Sequence, residues 1–169
     1  MATATSWGSD MAAQFNQAQP QIEALLRDYC HALDDGEVGR WSSFFQDDAI
    51  YQITTRENRE RGYPLGIMLC EGRAMMHDRI KALQTANIFE SHNYCHLWGA
   101  PDVRPEIEGR WSVRSNFAVY RTLYSGEQSL FATGKYLDVV DATGAQALFA
   151  ERIVVIDSRQ IDTLLVYPL

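Results

Sequence analysis

From residue 109 to residue 169, apolar and polar residues alternate almost without interruption, and only two turn signals break the run. Successive side chains of an extended strand point to opposite faces. Trp111, Val113, Ser115, Phe117, Val119, Arg121 and Leu123 therefore share one face, and Ser112, Arg114, Asn116, Ala118, Tyr120, Thr122 and Tyr124 the other. Ser125-Gly126 and Asp141-Ala142-Thr143-Gly144 punctuate the pattern, which predicts further strands over 128–140 and 146–157 and two hairpins. Upstream the period becomes helical. Ile22, Leu25, Leu26, Tyr29, Cys30 and Leu33 predict a helix over 20–34, with Pro20 in its first turn and Gly36 as its stop. A second helix is predicted over 37–45 on the face made by Val38, Trp41, Phe44 and Phe45. Asp47-Asp48 then turns the chain into a strand over 49–54, where Tyr51 and Ile53 alternate with Ile50 and Gln52. A third helix over 73–84 turns Met76, Ile80 and Leu83 inward, residues 91–99 read as extended, and residues 101–108 as a polar connection.

Helices followed by a long meander make an α+β domain in which a strongly curved, mainly antiparallel sheet wraps a helix. Gly134 interrupts a strand pattern, the signature of a bulge or kink that lets a sheet bend into a cone. At 169 residues the chain accommodates one such domain, assigned to 20–169, with the small polar stretch 1–19 read as a flexible arm.

The formal charge of −7 argues against a surface that tracks phosphates, so nucleic acid is not an expected partner. No apolar run approaches the roughly 18 residues of a membrane span, and residues 1–19 lack the basic and apolar regions of a signal peptide, which makes the cytoplasm the default location. Cys30, Cys70 and Cys95 form no C-x-x-C pair and are read as three buried thiols of a reducing compartment. The mixed-sign cluster 56–61 reads as a solvated loop or a polar docking loop.

Candidate chemistry is sparse. His92 and His96 have the spacing that puts two ligands on one helical face, but in a strand about 13 Å separates them, so no metal is assigned. No phosphate-cradling glycine loop, His-Glu-x-x-His helix or Gly-x-Ser-x-Gly elbow is present. If the cone holds a pocket, Tyr51, His96 and Arg152 are the polar residues placed to line it, although such residues on half-buried strands are commonly satisfied by neighbours.

The order Trp41-x-x-Phe44-Phe45-x-Asp47-Asp48-x-x-Tyr51, then Asp78-Arg79-Ile80-x-x-Leu83, resembles the small (β) subunit of aromatic-ring-hydroxylating oxygenases. Tyr94-x-His96, Gly134-x-Tyr136-x-Asp138, Glu151-Arg152 and the tail Asp162-Thr163-Leu164-Leu165 through Pro168-Leu169 are similar to the branch acting on aromatic carboxylates, such as terephthalate and salicylate. Asn93 and Cys95 stand where that branch would place arginines. The resemblance implies a cystatin-like, NTF2-like cone and a non-catalytic structural role. It also implies a large (α) subunit as partner, in an α3β3 hexamer. That subunit would carry a Rieske [2Fe-2S] cluster and a mononuclear non-haem iron, with electrons from NAD(P)H through a reductase, and this chain would bind no cofactor. Tyr51, Arg79, Tyr94, His96 and Arg152 are the pocket or interface candidates. Two other readings of the same cone stay open: a stand-alone dehydratase or isomerase with a Tyr/His acid–base pocket, and a small-ligand binding module.

Overall fold

A computed structural model describes residues 4–64, 66–85, 92–159 and 167–169, with side chains from residue 10 onward. Helix α1 (Ala4–Asp34) is followed by a 3₁₀ segment (Val38–Phe44), strand β1 (Phe45–Thr55), the short α2 (Arg56–Glu60), β2 (Met68–Glu71) and α3 (Arg73–Thr85). The remaining strands are β3 (His92–Trp98), β4 (Asp102–Pro105), β5 (Arg110–Leu123), β6 (Gln128–Asp141) and β7 (Leu148–Ile156). They form one sheet in the order β2-β1-β7-β6-β5-β3, with β4 also on β5. Among the described residues every pairing is antiparallel except β1 with β7, which joins the β1–β2 pair to the antiparallel meander. The predicted α+β layout, with helices on a curved sheet, is the one observed.

The hydrophobic pattern placed the inner face correctly. Trp111, Val113, Ser115, Phe117 and Val119 are buried, as are Tyr51 and Ile53, whereas Ile50 is exposed. On β5 the burial weakens beyond residue 120, where the register with β6 shifts between Val119 and Tyr120. A second shift lies between Val139 and Val140 on β6. These irregularities, and not Gly134, interrupt the ladder. Gly134 serves close approach instead: a Cβ there would lie 2.1 Å from the Val155 carbonyl oxygen, so only a residue without a side chain lets β7 approach this closely.

Several boundaries differ from expectation. Residues 4–19 are helical and continuous with the predicted helix, not an arm; Pro20 sits inside α1. The apolar stripe runs upstream of Pro20 through Ala18, which is buried, and Phe15, whose ring meets Trp111 at 5.8 Å. Packing of this stripe compensates the hydrogen bond that Pro20 cannot donate. The predicted second helix is a 3₁₀ segment, the Asp47-Asp48 turn lies within β1 beside a register shift, and the polar connection 101–108 contains β4. Loop 56–61 begins as a short helix capped by Thr55, whose hydroxyl accepts from the Asn58 N–H. Cys30 and Cys70 are buried, but Cys95 is exposed, because it falls on the outward phase of β3. Tail residues 162–165 lie outside the described residues.

Candidate functional site

The sheet register sets the interior. Tyr51 of β1 lies opposite Arg152 of β7, which lies opposite Asp138 of β6. Because each of these positions has the inward phase of its strand, a phenol, a guanidinium and a carboxylate form one row across the inside of the cone. The side chains of Arg152 and Asp138 are fully buried, and Arg152 Nη1 lies 3.5 Å from Asp138 Oδ2, looser than a charge-assisted hydrogen bond. Arg152 is held chiefly by aromatic faces. Its guanidinium carbon lies 3.8 Å from the Tyr136 ring centre, 4.2 Å from that of Tyr29 and 4.6 Å from that of Phe149. Each such contact contributes about 2 kcal/mol or more when desolvated. Burial, opposed by the Arg152 charge, pushes the Asp138 carboxyl up to about 7.

A second cluster lies where α1 ends. Asp34 accepts from the His96 backbone N–H at 2.9 Å, and its Oδ1 lies 2.5 Å from Nδ1 of the same residue. The His96 side chain is fully buried, and its Nε2 makes no hydrogen bond. Tyr94, two residues back on the same face, stacks on Phe131 at 5.0 Å. Its hydroxyl is pushed well above the usual phenol range by burial.

The third cluster is a cage around Leu169. The hydroxyls of Tyr29 and Tyr51 both donate to the Leu169 carbonyl oxygen, at 2.9 and 3.0 Å. The Tyr51 hydroxyl accepts from the Leu169 N–H at 2.9 Å, and that of Tyr29 accepts from Trp41 Nε1 at 3.2 Å. Burial raises Tyr29 to about 12, so its hydroxyl stays protonated and can donate.

The predicted residues Tyr51, Tyr94, His96 and Arg152 thus share the inner face of the sheet, but they belong to different clusters and each is engaged locally. Arg79 stands apart on α3, half-buried near Cys70. None of the five lines the recess of about 280 Å³ between α1 and the 145–148 turn, whose polar lining is Gln21, Asp28, Arg40, Ser43 and Gln146. Among the described residues no group of three His, Cys, Asp or Glu side chains is placed to hold a metal ion. Sequence reasoning passed over Asp34 and Tyr29 as site residues and did not connect Asp138 to Arg152. A carboxylate on the inward phase of an apolar strand was the available signal for Asp138. Asp34 and Leu169 had none, because only the fold brings the end of α1 and residue 169 to these positions.

Residues 30–163 match the family model described as "Ring hydroxylating beta subunit". The chain belongs to this family. Subunit beta 2 of the terminal oxygenase component of terephthalate 1,2-dioxygenase from a Comamonas species is 36% identical over 149 residues, covering 88% of this chain and 97% of the relative. The small subunit of anthranilate 1,2-dioxygenase from Burkholderia cepacia is 32% identical over 149 residues, covering 88% and 92%. A crystal structure assigned as the β subunit of an aromatic-ring-hydroxylating dioxygenase from Novosphingobium aromaticivorans superposes with a TM-score of 0.83 at 30% identity, covering 94% of this chain and 99% of that one. As a β subunit the chain is therefore a component of a dioxygenase, and its cone is the fold of its family.

Proposed function

We propose that this β subunit is the non-catalytic structural component of a ring-hydroxylating oxygenase acting on an aromatic carboxylate of terephthalate or salicylate type. Its partner is a large subunit carrying the Rieske cluster and the mononuclear iron, in a three-plus-three assembly located in the cytoplasm and supplied with electrons from NAD(P)H by a reductase. The observation that carries the reading is that the polar interior is enclosed by this chain's own groups: Arg152 by Asp138 and three rings, His96 beside Asp34, Tyr29 and Tyr51 on Leu169. A general acid or base must reach a substrate proton, and groups buried in this way serve packing and specificity of the fold. The curated relatives support the substrate class, since terephthalate and anthranilate are both aromatic carboxylates.

The contact between Asp34 and His96 is the one observation favouring a second reading, a cone that performs acid–base chemistry itself, because a carboxylate on Nδ1 orients the ring and leaves Nε2 for a proton transfer. Turnover per intact complex separates the two. With assembly corrected for, His96→Gln and Asp34→Asn should change turnover by less than about threefold, whereas loss of a general acid or base costs about 10²–10⁴-fold. A hundredfold loss at unchanged assembly would sink the structural reading.

A further inference from the structure

Leu169 has no exposed surface, and its backbone is gripped by side chains remote in sequence. Tyr51 lies 118 positions away and Tyr29 140. Two hydroxyl donors converge on one oxygen, while one of those hydroxyls also accepts the adjacent N–H. A bare hydrophobic anchor would not need this, since a buried leucine is held by contact alone. The geometry is that of a receptor for a carbonyl or carboxylate oxygen with a neighbouring amide N–H. Behind it Trp41 Nε1 fixes the Tyr29 hydroxyl, so the donor direction is set before anything binds. Tyr167, two residues earlier, lays its ring edge-on to His92 at 5.4 Å and near Tyr94 at 6.1 Å, so the tail crosses the β3 side of the cone before Leu169 enters it.

We infer that Tyr29, Tyr51 and Trp41 form a binding site for a short peptide segment, filled in this chain by its own residues 167–169. The site takes a ligand that presents a carbonyl or carboxylate oxygen, an adjacent N–H and a branched aliphatic group. While the tail is seated the site is closed to other molecules. This inference stands on the tail geometry and does not depend on the oxygenase partner or its substrate.

The test uses the chain ending at residue 166 and the acetylated tripeptide Tyr-Pro-Leu as probe, with the intact chain as control. Calorimetry should show saturable one-to-one binding to the shortened chain and none to the intact one. Tyr29→Phe with Tyr51→Phe in the shortened chain should weaken that binding at least about tenfold, the order expected for buried hydrogen bonds. A shortened chain that is folded by near-ultraviolet circular dichroism yet binds the peptide no better than the intact chain overturns the inference, as does equal binding by the phenylalanine variant. If the shortened chain does not fold, the intact chain decides. Exchange of the Leu169 amide hydrogen should be about tenfold faster in Tyr51→Phe than in the unmodified chain, and unchanged exchange overturns the inference.

Discussion

Arg152 and Asp138 set the sharpest expectation at the scale of single residues. A buried ion pair at 3.5 Å without supporting hydrogen bonds recovers little of its desolvation cost, yet removing one partner strands the other. Asp138→Leu alone or Arg152→Met alone should therefore cost about 3–5 kcal/mol, while the double variant should be close to neutral; urea midpoints for the three chains and the parent check this. The pH dependence follows from the same site. Because burial raises Asp138 from 3.8 to about 7, the folded chain keeps a proton that the unfolded chain has released. Its contribution to stability thus falls as pH rises through that interval and is flat above it. Urea midpoints at about pH 5 and about pH 8 should show this loss in the parent, and Asp138→Asn should remove that part of the slope. The inward phase of both residues was legible in the alternation of β6 and β7, but their pairing was not, since register between strands depends on bulges such as the shift at Val139 and Val140.

Among the elements, α1 and β6 show where local signals suffice and where they fail. The stripe from Ile22 to Leu33 announced a helix, and burial confirms it. Its extension to Ala4 was hidden because the residues upstream of Pro20 are mostly small or polar, and the contact of Phe15 with Trp111 of β5 is one that only the fold supplies. Likewise Gly134 was legible as an exception within a strand, but whether it marked a bulge or a close approach depended on β7. The close approach predicts that Gly134→Ala costs at least about 1–3 kcal/mol, since the new methyl meets backbone and not a movable side chain. A urea midpoint equal to the parent's would show that β7 can move aside.

The molecule as a whole turns one face of its sheet inward and the other out. On the outer face Tyr120 lies between Cys95 and Leu130 in register, and Leu97, Tyr120 and Leu130 are 56%, 44% and 55% exposed. Apolar surface of this kind suits a subunit that works in an assembly. Co-expressed with its large subunit the chain should elute as a stable hetero-oligomer, and expressed alone it should self-associate or precipitate; a monodisperse monomer indifferent to the large subunit, by light scattering, would contradict this. The parallel contact of β1 with β7 also governs how the chain comes to be made. Arg56, just beyond β1, joins Asp157, just beyond β7 and 101 positions later, so β1 leaves the ribosome long before this neighbour exists. During synthesis that edge stands open beside a growing hydrophobic meander, the condition under which nascent chains mispair with one another. Closing so long a loop is also slow. Translation of β7, and whatever shields β1 until then, is thus the step on which the yield of native subunit depends.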